Sequence, residues 1–361
     1  MSASWDCAVV GGGPAGAAAA LVLARSGRSV LLIDHGPPGA ERLGESLPGA
    51  ARPILRDLGV LGVVERGPHL ASYGNVSVWG SVPTATDFIA DPHGLGWHLD
   101  RRRFDADLRT AAEAAGAVLR PGRVGQVARG DTGWRLLVDG AEVDATWLID
   151  ATGRRALAAR RGLARRRRDD ALVALYALAL PHGTEADTRT WVESAPDGWW
   201  YSSRLRDGRR VVVLHVDADE AAAILHAPGA WGDRLAQTTH IRVPLEGAEF
   251  SAAPRGVEAC GARLDRFTGP GWLAAGDAAL SFDPLSAQGV FAALYTGMRS
   301  AQAVCAALDG ARDAPEQYAA RLESVRAAYR HQQAHYYGLE RRWPDRPFWR
   351  RRQVQDTPGR R

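Results

Sequence analysis

Six residues near the start of the chain, Gly11-Gly12-Gly13-Pro14-Ala15-Gly16, have the types and spacing of a phosphate-binding turn. They contain G-x-G-x-x-G at Gly11, Gly13 and Gly16, follow the apolar stretch Trp5–Val10 and open the alanine-rich stretch Pro14–Ser26. Gly11 permits a tight turn, Gly13 lets the backbone approach a pyrophosphate, and Gly16 lets a helix pack closely on a strand. The helix start at Pro14 and Ala15 suits phosphate through its positive partial charge and the free N–H groups that follow Pro14, which itself has none. A second apolar stretch, Ser29–Asp34, ends in an acid 18 residues after Gly16, where a carboxylate hydrogen-bonds ribose hydroxyls. The glycine spacing alone is a weak signal. With strand, helix, second strand and acid around it, it predicts a dinucleotide site.

Two later segments repeat the pattern of a strand running into a glycine-containing acidic turn. They are Leu148-Ile149-Asp150-Ala151-Thr152-Gly153-Arg154 and Leu273-Ala274-Ala275-Gly276-Asp277-Ala278, the latter followed by Asp283-Pro284-Leu285. In this order the three elements resemble the flavoprotein superfamily of aromatic monooxygenases, tryptophan halogenases and geranylgeranyl reductases, over almost the whole chain. The resemblance implies FAD. It implies that Asp277 binds the ribityl chain or pyrophosphate and that the Pro284–Gly289 turn lies against the isoalloxazine. The helix starting there would direct its N-terminus at the flavin N1/C2 carbonyl. Arg101, in Asp100-Arg101-x-x-Phe104-Asp105, matches an arginine near the FAD phosphates, and Val124 the strand backbone that meets adenine. Arg42-Leu43-Gly44-Glu45-Ser46 matches the loop beside the flavin in the halogenase-like branch, which places Arg42 and Ser46 at the cofactor.

No second G-x-G-x-x-G follows a strand, so no dedicated NAD(P)H domain is expected. Electrons would come from transiently bound NAD(P)H, a separate flavin reductase or the substrate. Tryptophan halogenases carry a lysine that meets hypohalous acid, a Trp-x-Trp-x-Ile-Pro strand and a glutamate after the Pro-Leu of the flavin loop. This chain has no lysine, reads Gly198-Trp199-Trp200-Tyr201-Ser202-Ser203 at the strand, and has Ser286 at the glutamate position. Chlorination is therefore disfavoured.

Gly44-Glu45-Ser46, Trp97-His98-Leu99-Asp100-Arg101, Gly198–Tyr201 and Arg342-Trp343-Pro344 with Pro347-Phe348-Trp349 are similar to flavoproteins that mature cysteine tryptophylquinone enzymes. Those oxygenate a tryptophan side chain inside a partner protein. The resemblance implies a monooxygenase acting on an electron-rich aromatic, either a natural-product intermediate or a Trp or Tyr side chain in a peptide or protein. Glu45 and His98 would handle protons, and Trp199, Trp200 and Tyr201 would line the substrate side. Adjacent strand residues face opposite sides, so only one of Trp199 and Trp200 can face the flavin. Alternatives are a flavin-dependent reductase or oxidase acting on C=C or C–N bonds, and a flavoprotein that only binds a partner.

The chain has 361 residues, 46% hydrophobic and 24% charged, enough to bury the core of one large or two intimate domains. Its three cysteines, Cys7, Cys260 and Cys305, are far apart and form no CxxC, which speaks against a zinc or dithiol site and for a reducing cytoplasm. No metal site is expected. Net charge is +4, with arginine as every basic residue. Runs at Arg165–Arg168 and Arg350–Arg352 read as solvated faces and a basic tail, with binding to an acidic partner as the alternative and no nucleic-acid partner expected. No stretch reaches the roughly 18–20 apolar residues of a membrane span.

Ala171–Leu180, Thr188–Glu193, Gly198–Leu205 and Arg209–Asp217, separated by turn residues, read as consecutive antiparallel strands. Ala51–Leu58, Arg103–Ala115, Ala287–Leu308 and Pro315–Tyr337 read as helices. The fold class expected is α/β: a Rossmann-type FAD-binding domain interleaved with a mostly antiparallel β-sheet substrate domain, with C-terminal helices. The expected boundaries are 1–70 with 98–165 and 255–310 for the first, 71–97 with 166–254 for the second, and 311–361 for the C-terminal helix and basic tail.

Overall fold

The computed structural model describes residues 4–36, 43–80, 82–130, 133–181 and 186–353. Ser4–Val10 lies inside an eight-stranded sheet, pairing in parallel with Val30–Asp34 on one side and Ala141–Asp150 on the other. Val118–Pro121 extends the sheet beyond Val30–Asp34, and Trp272–Ala274 extends it beyond Ala141–Asp150. Val30, Leu31, Leu32 and Ile33 are all buried, as parallel strands covered on both faces require. The register sets Val10 beside Asp150 and Asp150 beside Ala274. The three turns singled out in the sequence therefore leave the sheet at one edge.

Helix α1 (Pro14–Arg25) packs under this edge between α2 (Arg101–Ala114) and α3 (Gly289–Leu308). Its run of four alanines, Ala17–Ala20, is fully buried and lets the neighbouring helices come close. On α3, a methyl group at Gly297 would stand 2.1 Å from the Ala15 carbonyl oxygen.

A second eight-stranded sheet contains Leu172–Leu180, Arg210–Asp217, Gly198–Arg204 and Thr190–Ala195 in antiparallel succession, as expected of strand-like segments separated by turns. Gly74–Val78 then joins Thr190–Ala195 in parallel, and Thr84–Asp87 closes that edge. At the other edge Arg255–Glu258 pairs with Leu172–Leu180. One face of the sheet buries Trp200, Val212, Leu214 and Val216 against Ile224 and Trp231 of two short helices, Ala218–His226 and Ala230–Ala236. The opposite face carries Trp199, Val211 and Val213 and meets the C-terminal helices through Tyr337, Phe348 and Trp349.

Those helices are α4 (Ala314–Leu339) and α5 (Pro347–Gln353). The run Arg350–Arg352, expected to be a solvated tail, is largely structural. Arg352 is buried, bonds Asp217 at 2.7 Å and stacks over Phe348 at 3.8 Å. Arg351 reaches Asp217 at 2.6 Å and Asp219 at 3.2 Å. Asp217 is buried at a strand end, and a buried carboxylate requires a countercharge. The other basic run is likewise paired, Arg166 and Arg168 both binding Glu258. None of the described helices is long and apolar enough to cross a membrane.

Removing Arg352 leaves Asp217 with Arg351 as its remaining countercharge and loses one buried charged hydrogen bond. Arg352→Met is expected to lower unfolding free energy by about 1.5–3 kcal/mol, read from urea denaturation. A loss below about 1 kcal/mol would show that the pair does not hold α5 in place.

Candidate functional site

A cavity of about 1190 Å³ opens at the shared edge of the parallel sheet, between it and the second sheet. Two helix starts line it, Gly13 to Ala15 of α1 and Gly289 to Val290 of α3. Neither helix has a side-chain cap, Gly13 and Gln288 standing at the N-cap positions. First-turn N–H groups are thereby left for a ligand's phosphates or carbonyls.

The glycine turn has the geometry its spacing demands. Gly11 has φ +110°, and a methyl group there would lie 2.2 Å from the Ala151 carbonyl oxygen. At Gly16, which sits beneath the turn and not on the cavity wall, a methyl group would lie 1.8 Å from the Gly11 carbonyl oxygen. Asp34 lines the cavity. Arg109 braces it from α2, 3.8 Å from its carboxylate, while donating to the Gly12 carbonyl at 3.1 Å. Nothing local in the sequence marks Arg109, because its role depends on α2 crossing the turn.

Arg101 lines the cavity, but its guanidinium is engaged by the protein itself. It pairs with Asp105 at 3.2 Å and donates to the Leu43 and Gly44 carbonyls at 2.9 Å each, so it fixes the loop that carries Glu45 and Ser46. Ser46 and Val124 are on the wall, and Arg42 lies outside the described residues. Asp277 is also on the wall, 3.6 Å from Arg154, which anchors to the Cys260 carbonyl at 2.7 Å. Pro284 and Gly289 bound the next turn, held by the buried Asp283. Asp283 accepts from Leu285 N–H at 2.9 Å, from the Tyr337 hydroxyl at 2.7 Å and from Gln333 at 3.1 Å.

The second sheet supplies the remaining wall through Ala174, Tyr176, Tyr201, Val211, Val213 and His215. Glu45 faces this wall, 3% exposed, and accepts hydrogen bonds from the Tyr201 hydroxyl and Ser203 Oγ. Burial, and next the Glu45 charge, push the Tyr201 phenol well above its ordinary pKa, so it stays protonated. His98 lies behind Glu45 and off the cavity. Its Nδ1 meets the Arg204 carbonyl at 2.9 Å, and its Nε2 meets Thr190 Oγ1 at 2.9 Å. A carbonyl can only accept, so Nδ1 carries the proton and neutral Nε2 accepts from Thr190. Burial lowers the pKa of His98, with Glu45 acting in the opposite sense.

Trp199 is on the cavity side of its strand, as alternation allows, but does not reach the cavity. His215, directly across on the neighbouring strand, stacks on it at 3.6 Å and 12° and lines the wall in its place. Trp200 faces the other way, against Trp231. Tyr201, Val213 and His215 share one face by strand register, a pairing that no single strand's sequence announces.

Residues 81–360 match the tryptophan halogenase family, and residues 6–38 match the FAD dependent oxidoreductases. The chain belongs to the tryptophan halogenase family. It is 32% identical to the FAD-dependent oxidoreductase LodB of Marinomonas mediterranea over 97% of both chains. It is similar to the solved structure of the myxobacterial chondrochloren halogenase CndH, at 25% identity and TM-score 0.90, over 98% of this chain and 87% of that one. It is also similar to QhpG, a peptidyl tryptophan dihydroxylase essential for tryptophylquinone cofactor biogenesis, at 26% identity and TM-score 0.75, over 99% and 80%. In this member of the family the cavity fits FAD. Its glycine turn leaves no room for side chains, two uncapped helix starts face inward, and Asp34 stands at the end of its strand.

Asp34→Ala removes a charged hydrogen-bond acceptor worth about 1.5–3 kcal/mol, so the FAD dissociation constant is expected to rise about 10–100-fold in a fluorescence titration. An unchanged constant would place the ribose elsewhere. His215 is pushed down to about 3, chiefly by burial, from an ordinary value near 6.5. Its neutral form is favoured in the fold, so its contribution is complete above pH ~6.5 and declines as pH falls towards the folded value, by up to about 1.4 kcal/mol per pH unit. Asp170, pushed up to about 6 mainly by burial, contributes in the opposite sense. The test is therefore the difference between wild type and His215→Phe. The variant should lose less stability between pH ~6.5 and ~4.5, and equal slopes would refute the assignment.

Proposed function

We propose that this flavoprotein is a monooxygenase that hydroxylates an electron-rich aromatic, with a tryptophan or tyrosine side chain of a peptide or protein as the favoured substrate class. The observation that carries the reading is the position of Glu45. It is buried in the wall of the same cavity that holds the dinucleotide turn and Pro284–Gly289, with two hydroxyls aimed at its carboxylate. Flavin and aromatic ring would meet in one space, so no diffusing oxidant is required. The chain also has no lysine to receive a hypohalous acid. QhpG, named as a peptidyl tryptophan dihydroxylase, supports the substrate class.

Reduced FAD with O₂ would supply the oxygenating chemistry, the electrons coming from NAD(P)H or a separate flavin reductase. The rest falls to the chain. The open starts of α1 and α3 would hold negative charge on the cofactor, at its diphosphate and at its ring carbonyls. Val211, Val213, Ala174 and the rings of Tyr176 and His215 form a wall that excludes water from the reacting centre. Glu45 takes the proton that an aromatic carbon releases when it gains oxygen. Tyr201 and Ser203 hold the carboxylate in place by donating to it. Thr190 and His98 stand behind them as positioning residues.

With reduced FAD, O₂ and an indole-bearing peptide, the product is expected to gain oxygen, read by mass spectrometry. Glu45→Gln should lower the turnover rate by about 10²–10⁴ with FAD affinity unchanged. A product without added oxygen would sink the monooxygenase reading in favour of a reductase or oxidase. A brominated or chlorinated product in the presence of halide would restore halogenation.

A further inference from the structure

Four arginines stand on the part of the cavity wall that carries Asp34 and Val124. Arg123 precedes Val124, and Arg155, Arg160 and Arg161 follow the Asp150–Gly153 turn; all four line the cavity and all are exposed. Arg161 donates to the Gly125 carbonyl, next to Val124, and Arg155 meets the ring of His35, next to Asp34. The four guanidiniums therefore border the end of the cavity where the adenosine half is expected. Among the described residues none of them makes an ion pair. The other cavity arginines differ in this respect, Arg101 pairing with Asp105 and Arg154 with Asp277. Arg109, just behind the wall, pairs with Asp34.

Uncompensated charge of one sign at a cleft mouth has a specific physical effect. Low-dielectric walls focus its field outward, and a counter-charged ligand is drawn in faster than free diffusion delivers it. Guanidinium does not lose its proton and suits phosphate oxygens. Exposed charges of this kind alter the rate of encounter and its salt dependence more than the lifetime of the complex. We propose that Arg123, Arg155, Arg160 and Arg161 form an electrostatic funnel that captures the diphosphate of free FAD and steers it onto the start of α1. The bound diphosphate is then held by the helix start, and the funnel sets how fast it arrives. The proposal is independent of which aromatic is oxidised.

The test uses the full chain stripped of flavin, mixed with FAD in a stopped-flow fluorimeter at varied sodium chloride, with riboflavin as the probe without phosphate. The FAD association rate constant should fall roughly tenfold or more from ~0.02 to ~0.3 M salt, while that of riboflavin stays nearly flat. The triple change Arg123→Gln, Arg160→Gln, Arg161→Gln should lower FAD association about tenfold at low salt and flatten its salt dependence, with dissociation within about twofold of wild type. Arg160→Gln alone removes a side chain with no hydrogen bond or ion pair among the described residues. It should give a smaller change of the same kind, even if the triple variant misfolds by circular dichroism. Unchanged association in Arg160→Gln and the folded triple variant would overturn the proposal. So would a defect confined to dissociation, which would make these arginines anchors of bound flavin. Equal salt dependence for FAD and riboflavin would overturn it as well.

Discussion

Three contacts that tolerate no Cβ atom fix where the cofactor cradle can be. A methyl group on Gly11 would meet the Ala151 carbonyl at 2.2 Å, one on Gly16 the Gly11 carbonyl at 1.8 Å, and one on Gly297 the Ala15 carbonyl at 2.1 Å. The first contact locks the turn after the first strand to the turn after Ala141–Asp150. The second presses the start of α1 onto its own strand, and the third presses α3 onto the same spot. Side-chain caps are absent at the starts of both α1 and α3, and their unpaired N–H groups remain available because the backbone is held by neighbours. Everything else at the site is arranged around these two helix ends.

The dinucleotide half was legible in the sequence because backbone geometry wrote it there. Only glycine fits such close approaches, so the residue types and their spacing carried the structure with them. The strands of the second sheet were legible as successive strand-sized apolar runs separated by turn residues. The cavity wall supplied by the second sheet was only half legible. Glu45 could be singled out, but its partner Ser203 stands 158 residues away, and the contact depends on how two sheets meet. Trp199 lies on the expected face, yet His215 from the adjoining strand covers it. Strands of two or three residues, such as Ser46–Leu47 and Gly96–His98, are too short to show a period at all. The arginines of α5 resembled a tail because local sequence does not state that Asp217 awaits them.

Asp283 shows how the two halves become one site. Its carboxylate holds Leu285 N–H of the Pro284–Gly289 turn while accepting from Tyr337 and Gln333 of α4. The Tyr337 hydroxyl in turn accepts from the Trp199 indole at 3.1 Å, which fixes the sheet behind His215. Around this chain of bonds pack Trp79, Trp349 and Phe348, large rings that fill the join between the sheet and α5. A satisfied polar chain inside an aromatic layer resists sliding more than an apolar contact of equal area would, since every shift breaks a buried bond. The cavity walls thus keep their spacing without a metal or a disulfide among the described residues.

The order of strands in the parallel sheet also governs how the molecule comes into being. Ser4–Val10 is made first, but one of its two neighbours is Ala141–Asp150, and the strand beyond that is Trp272–Ala274. At roughly 5–20 residues per second, a ribosome needs on the order of tens of seconds to supply all three. Through that interval the glycine turn has half its walls missing, and Ser4–Val10 has only Val30–Asp34 beside it. The cavity is complete only once Gly276 and the start of α3 have been made, so a ligand held by both helix starts would secure a sheet already assembled and could not guide its first strands.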